Sequence, residues 1–174
     1  MSLLLVGLPD DVTASTITRL RSQDDEVRVL APNGPQADAW KAAGAHVALG
    51  GFDDADLIER ACQNVRTLVF GDSALAPDNG EALVNGGVRA GVGRWVYVSG
   101  APKPGIVSEL DSTGHDYVVL ATGSKGLLRR GTEPSAVALA VDAADDLAGH
   151  PKLELNLKND SAWSALRLQR PSGR

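Results

Sequence analysis

The sequence has little cysteine, few aromatic residues and no long hydrophobic run. Cys62 is the one cysteine among 174 residues, so no internal disulfide can form and a secreted disulfide scaffold is excluded. No apolar run approaches the about 20 residues of a membrane span, and no basic region precedes the apolar start of the chain. We therefore expect no signal peptide, no membrane contact and a reducing, cytoplasmic setting, with Cys62 as a small buried residue.

The chain also lacks an excess of basic residues. Its 17 lysines and arginines are outnumbered by 22 aspartates and glutamates, for a net charge of −5. This balance argues against binding to nucleic acid or to an anionic membrane. Lys158, Arg167, Arg170 and Arg174 form a mildly basic end, which we interpret as solvated rather than as a binding arm.

What is present is a regular alternation of short apolar runs with alanine-rich, polar segments. The apolar runs are aliphatic or β-branched and read as strands that are buried on both faces, as in a parallel sheet covered by helices. They comprise Leu3 to Val6, Val27 to Leu30, Val47 to Leu49, Thr67 to Phe70, Trp95 to Val98 and Tyr117 to Leu120. Leu153 to Leu157 is predicted as a last strand from its alternating apolar positions. This order predicts a doubly wound α/β fold in three layers, within one domain spanning 1–174.

The intervening segments are predicted to be helices. Asp10 or Asp11 is a suitable cap for the first helix, and Asp53 for a helix over Ala55 to Ala61. A helix over Glu81 to Ala90 contains Gly86 and Gly87, which together cost roughly 2 kcal/mol against alanine, so we expect either close packing there or fraying. Asp142 to Ala148 is predicted as a further helix, in which Asp142, Asp145 and Asp146 form an exposed face.

Four stretches resemble the NmrA-like branch of the atypical short-chain dehydrogenase/reductase family. They are VRVL at 27–30, AAGAHV at 42–47, GGFDD at 50–54 and AGVGRWVYVS at 90–99, and the likeness covers roughly residues 1–125. The resemblance implies a Rossmann-like domain that usually binds NADP, in reductases, isomerase-type enzymes or non-catalytic redox sensors. It also implies that 121–174 is a reduced version of the C-terminal substrate lobe, with a shallow or open pocket.

The first turn departs from the pattern that the resemblance implies. A glycine-rich turn would place glycines at positions 7, 10 and 13, or at 7, 9 and 12, but only Gly7 is present. Pro9 lacks an N–H group, and Asp10 and Asp11 bring negative charge to the place where a diphosphate would bind. We therefore predict that a side chain of the protein occupies its own anion site, with a shifted or a genuinely bound cofactor as the alternatives.

The other residues expected to contact a cofactor also give only weak support for its binding. Ala31-Pro32-Asn33-Gly34 follows the second strand, where neither the acid of NAD-binding members nor the base of NADP-binding members occurs. Asn33 could reach a ribose hydroxyl, although a turn residue before Gly34 is the favoured explanation. Asp53 could replace the family's acid near the adenine. The candidate cofactor-binding residues are thus Gly7, Asp10, Asn33, Asp53, Gly71 and Ser99, with no cofactor as the leading expectation and NAD(P) as the alternative.

Catalytic candidates are few. Neither Tyr97 nor Tyr117 is followed four residues later by lysine, so the Tyr-x-x-x-Lys pair of active reductases is missing. Ser99 and Lys103 follow the fifth strand at the edge where open parallel sheets bind ligands, and they remain weak candidates. Gly71-Asp72-Ser73 lies at the same edge and would contact any ligand there.

The sequence offers no clear metal site and several possible functions. Its three histidines are widely separated without carboxylates at ligand spacing. The leading interpretation is a non-catalytic accessory, interaction or sensor module that acts through a protein partner or as a homo-oligomer. The alternatives are an active NAD(P)H-dependent reductase or isomerase, and a module for a less phosphorylated ligand that Asp10 would contact through a ribose or an amine.

Overall fold

The computed structural model describes residues 2–32, 34–75, 79–123, 133–147 and 152–158, together with 162 and 164. In these ranges strands alternate with helices along the chain. The elements are β1 (Ser2–Val6), α1 (Asp10–Arg21), β2 (Glu26–Ala31), α2 (Gln36–Ala42), β3 (His46–Leu49), α3 (Ala55–Ala61), β4 (Thr67–Gly71), a short 3-10 helix (Asp72–Leu75), α4 (Asn79–Arg89), β5 (Arg94–Ser99), α5 (Pro104–Ser112), β6 (Asp116–Ala121), α6 (Pro134–Asp145) and β7 (Lys152–Asn156).

All the described strands join one parallel sheet in the order β3-β2-β1-β4-β5-β6-β7. The order reverses direction between β1 and β4, which is the switch point where open α/β sheets bind ligands. The predicted α/β Rossmann-like fold and its strands are therefore confirmed, including the last strand at the edge of the sheet.

Alternate residues of each strand face opposite layers of helices. Leu3 and Leu5 of β1 pack with the buried faces of α1 and α6, whereas Leu4 and Val6 pack on the other side with α3, α4 and α5. Burial on both faces explains why the inner strands β1, β4, β5 and β6 read as continuous apolar runs, whereas the edge strands β3 and β7 are more exposed. Cys62 is fully buried, as predicted, and burial raises the pKa of its thiol to about 12, so the thiol is unreactive at neutral pH.

The glycine pair of α4 is a packing feature. A Cβ atom on Gly86 would lie 2.7 Å from the carbonyl oxygen of Ala55 in α3, and one on Gly87 would overlap the indole of Trp95. The two helices can approach each other, and α4 can lie over the indole, only because both positions lack a side chain. Close packing is thus the correct one of the two predicted alternatives.

Helix α6 differs from its prediction. It runs over Pro134–Asp145, and Asp142 and Asp145 are 3% and 2% exposed, so the predicted exposed acidic face is wrong. The Asp142 carboxylate accepts a hydrogen bond from Arg19 Nε at 2.7 Å and one from Gln23 Nε2 at 3.2 Å, which joins α6 to α1. Burial of these carboxylates is possible because arginines distant in the sequence reach them.

Arg94 secures the end of the same helix. Its guanidinium donates to the carbonyl oxygens of Ala144, Asp145 and Leu147 at 3.2, 2.7 and 2.8 Å. These groups belong to the last turn of α6 and the residues after it, whose carbonyls have no partner within the helix. The arginine thus fixes α6 at the amino edge of the sheet. Within the described ranges, every helix is too short or too polar to span a lipid bilayer.

The Gly87→Ala variant should be less stable than the wild type by about 1–3 kcal/mol, since the new methyl group collides with the buried Trp95 ring. Urea unfolding followed by circular dichroism measures this difference. Gly105→Ala is the matched control, because a Cβ at this α5 position meets no atom within 4 Å and alanine favours a helix. Equal stability of the two variants would contradict the packing role of Gly87.

The contribution of Asp145 to the free energy of unfolding should fall as the pH rises, which is the opposite of the usual behaviour of a carboxylate. Burial raises its pKa above the ordinary 3.8, although the Thr67 hydroxyl and Arg66 favour the ionised form. A raised folded-state pKa stabilises the protein below the unfolded-state pKa, and this contribution is lost as the pH rises through the folded-state value.

We therefore expect Asp145→Asn to gain stability relative to the wild type as the pH rises from below 3.8 to neutral. The measurement is the difference in unfolding free energy between the two proteins at several pH values. Asp38→Asn, which alters an exposed carboxylate on α2, should show no such trend. A difference that moves in favour of the wild type as the pH rises would refute the prediction for Asp145.

Candidate functional site

The candidate site lies at the carboxyl edge of the sheet, around the turn between β1 and α1. Gly7 has φ +61°, and a Cβ atom there would overlap the backbone nitrogen of Ala74. A Cβ on Gly71 would likewise overlap the carbonyl oxygen of Gly7. The two loops at the switch point therefore pack backbone against backbone. Gly7 lines the cavities at this edge, Gly71 is not among their lining residues, and the structure gives each glycine a packing reason.

The start of α1 is capped differently from the prediction. Pro9 occupies the N-cap position and makes no side-chain capping bond, so neither Asp10 nor Asp11 is the cap residue. Both aspartates lie in the first turn instead, and Asp11 Oδ1 accepts the backbone N–H of Val12 at 2.8 Å. A carboxylate of the protein thus holds one of the donors that an anion would use at this helix start.

Two cavities flank this turn, and Gly7 and Ser73 line both. The first, the serine cavity, has a volume of about 220 Å³ and lies towards β5, β6 and α6. Its polar lining includes Asp11, Asp72, Ser73, Ser99 and Thr122, and its apolar lining includes Val12, Val98, Pro134 and Val137. Its volume is below the roughly 300–1,000 Å³ of typical small-molecule sites.

The second, the tryptophan cavity, has a volume of about 240 Å³ and lies towards β2 and α2. Trp40 and Phe52 contribute aromatic surface to it, and Asp10, Thr13 and Gln36 contribute polar groups. No local pattern singles out Trp40 or Phe52, because they come from separate segments that meet only when the sheet forms.

A hydrogen-bonded cluster of Asp72, Tyr97 and Ser99 borders the serine cavity. The Asp72 carboxylate accepts from the Tyr97 hydroxyl at 2.8 Å, and the Ser99 hydroxyl lies 2.9 Å from each of its oxygens. Ser99 Oγ in turn accepts the backbone N–H of Ala101 at 3.1 Å. Sequence reasoning placed Asp72 at this edge but missed its bonds to Tyr97 and Ser99.

The register of the sheet explains the cluster. Phe70 pairs with Tyr97 and Gly71 with Val98, so Asp72, directly after β4, lies beside Ser99, the last residue of β5. The Tyr97 ring is buried and stacks on Phe70 with 5.0 Å between ring centroids, which directs its hydroxyl to Asp72. Burial raises the pKa of Tyr97, and the Asp72 carboxylate raises it further. A side-chain hydrogen bond to Ser99 lowers the same pKa.

The remaining candidates lie apart from these cavities. Lys103 is the exposed N-cap residue of α5, and it is not among the described residues lining either cavity. Asp53 is exposed beside Gly51; the cap of α3 is Asp54, whose carboxylate accepts from Asp56 and Leu57, so the predicted cap is wrong by one residue. Asn33 lies outside the described residues.

Lys158 is a basic side chain that sequence reasoning assigned to the solvated end of the chain. It follows β7, and its side chain lies directly against Gly123 in the wall of the serine cavity. Its exposed ammonium is therefore close to that cavity. No group of three or more potential metal-binding side chains occurs among the described residues.

The comparisons with known proteins establish the fold. ChuY, an anaerobilin reductase from Escherichia coli O157:H7, superposes with a TM-score of 0.70 at 14% identity, over 90% of this chain and 96% of its own. A triphenylmethane reductase from Citrobacter sp., solved with NADP(H), gives 0.69 at 17% identity, over 90% of this chain and 69% of its own. A putative NAD-dependent epimerase/dehydratase from Bacillus halodurans gives 0.70 at 16% identity, over 88% and 92%.

The sequence itself matches no family model and no curated protein. At these identities the structural likeness supports a Rossmann-like architecture shared with NAD(P)-dependent enzymes, and no more than the architecture. The activity has to be argued from the residues of the site.

Asp72→Asn should lower the pKa of Tyr97 towards its ordinary value of about 10, because the substitution removes a negative charge that favours the neutral phenol. Ultraviolet titration of tyrosinate measures this shift, and Tyr97→Phe assigns the signal. Asp111→Asn, which alters an acid beside Tyr117 instead, is the control. An unchanged pKa of Tyr97 in Asp72→Asn would contradict the hydrogen bond between the Tyr97 hydroxyl and the Asp72 carboxylate.

Proposed function

We propose that this chain is a Rossmann-like module of NmrA-like type that has lost dinucleotide-dependent catalysis and acts as an accessory, interaction or sensor protein. The observation that carries the proposal is the β1–α1 turn, where Pro9 offers no N–H and Asp11 accepts the N–H of Val12. The glycine that remains in this turn, Gly7, packs against Ala74.

Charge strengthens this argument. A carboxylate about 4 Å from a phosphate charge costs about 1 kcal/mol in bulk water and about 4 kcal/mol near a protein surface. The start of a helix carries only about half a positive charge, so Asp10 and Asp11 together outweigh it. A diphosphate at this turn would meet net repulsion instead of the attraction that dinucleotide-binding turns provide.

A module of this kind would act by binding a ligand in the cleft. A protein partner or a second copy of the chain would then respond to whether the cleft is occupied. A cytoplasmic setting is part of the proposal, in keeping with the single buried thiol of Cys62.

The Asp72–Tyr97–Ser99 cluster supports a second candidate, an active NAD(P)H-dependent reductase or isomerase. Ser99 would there place a hydroxyl beside a substrate in the serine cavity, oriented by Asp72. ChuY, described as a reductase, is covered over 96% of its length, so a short chain of this architecture can be an enzyme. In this candidate the cofactor would be NAD(P), held in a pose that avoids Asp10 and Asp11.

The test is the thermal midpoint of the protein with millimolar NADPH, NADP, NADH or NAD. We expect no shift for the wild type and a rise for Asp10→Gly/Asp11→Ala, which removes both carboxylates from the turn. A ligand at 100 times its dissociation constant stabilises by about 2.7 kcal/mol, which is readily seen.

Asp24→Asn/Asp38→Asn changes the net charge equally at exposed positions away from the turn and should stay unresponsive. A shift with the wild type would overturn the proposal in favour of the reductase. A turn variant that still binds nothing would show that these carboxylates are not what excludes the dinucleotide.

A further inference from the structure

The tryptophan cavity combines aromatic surface with one unpaired carboxylate. Trp40 and Phe52 are half-buried and line it, and Asp10 lies exposed in the first turn of α1 on the same lining. Unlike Asp11 and Asp72, the Asp10 carboxylate has no hydrogen-bond or ion-pair partner within the part of the chain that the structure describes. It is therefore free to bind a ligand.

The other polar groups of the cavity do not offset this charge. The Thr13 hydroxyl already donates to the carbonyl oxygen of Pro9 at 3.0 Å, and Gln36 is neutral. No lysine, arginine or histidine is among the described residues that line the cavity. The half positive charge at the start of α1 is smaller than the negative charge of Asp10 and Asp11 together. The cavity thus favours a cation over a neutral or anionic ligand.

The aromatic side chains favour the same charge. The face of an indole or phenyl ring attracts ammonium groups, and indole does so most strongly. Their apolar surface also accommodates the body of an organic ligand, which excludes a bare metal ion as the preferred occupant. A volume of about 240 Å³ suits a molecule built around a single ring or a short alkyl chain.

We propose that the tryptophan cavity binds a small organic cation, an alkyl- or arylammonium ion, with its charged group at Asp10 and its apolar body against Trp40 and Phe52. The proposal rests on the proposed function, because the cavity must be free of a dinucleotide. It gives that function a ligand class, namely amines that carry no phosphate.

The test uses three probes that share one ring and differ in charge: phenethylamine, phenethyl alcohol and 3-phenylpropionate. Calorimetric titration of the wild type should show phenethylamine binding on the order of tenfold more tightly than the alcohol, and no binding of the carboxylate. Asp10→Asn should remove the preference for the amine, whereas Asp38→Asn, an exposed acid on α2, should retain it. Tryptophan fluorescence should change on binding in the wild type but not in Trp40→Phe.

Three results would overturn the inference: equal binding of amine and alcohol, no binding of any probe at millimolar concentration, or amine binding that Asp10→Asn leaves unchanged. The titration with NADPH separates this failure from that of the proposed function. A wild type that binds NADPH contradicts the proposed function whatever the amine does. A wild type that binds neither NADPH nor the amine contradicts only the assignment of the ligand.

Discussion

The close approach of two loops at the centre of the sheet is the constraint on which the site depends. Gly7 after β1 and Gly71 at the end of β4 leave no room for a Cβ atom, because each faces backbone of the opposite loop. This contact carries the 3-10 helix over the β1–α1 turn, so that Ser73 borders both cavities. The cleft at the switch point is thereby divided in two.

The same contact explains why Gly7 is required in this turn whether or not a dinucleotide binds. The first glycine of such a turn allows a tight bend and close packing, whereas the later ones admit the diphosphate and the following helix. Gly7 serves the first purpose in any protein of this architecture, whether or not a cofactor binds. Pro9, Asp10 and Asp11 follow Gly7 in the part of the turn where the later glycines of a dinucleotide-binding turn would lie.

The sequence predicts the inner strands β1, β4, β5 and β6 well because they are buried on both faces and read as apolar runs. The edge strand β7 is mostly exposed and is recognised by its alternating apolar residues instead. The prediction for α6 begins too far along the chain, since Ala136 to Val141 is so uniformly apolar that its helical period is hidden. The prediction that Asp142 and Asp145 are exposed rests on the fact that carboxylate side chains are ordinarily exposed to solvent. Their partners, Arg19 and Arg66, are distant in the sequence, and nothing in the local pattern indicates that they meet.

The site was predictable where strand ends determine it. Ser99 and Gly71 follow from the parallel order of β4 and β5, and the bond from Ser99 to Asp72 could have been found by continuing the same register. The tryptophan cavity could not have been found in this way. Trp40 lies on α2 and Phe52 after β3, so their meeting with Asp10 depends on how helices and loops settle on the sheet.

Charged side chains have different roles at the two edges of the sheet. At the amino edge, Arg19, Arg66 and Arg94 are engaged by the carboxylates and carbonyl oxygens of α6. At the carboxyl edge, Asp10, Asp11 and Asp72 surround the cleft, and no arginine lines either cavity among the described residues. Arginine side chains at the carboxyl edge would favour the binding of a phosphate group. At the amino edge, the arginines hold helix α6 in place instead. The distribution of charge around the cleft thus follows from where the fold places its arginines.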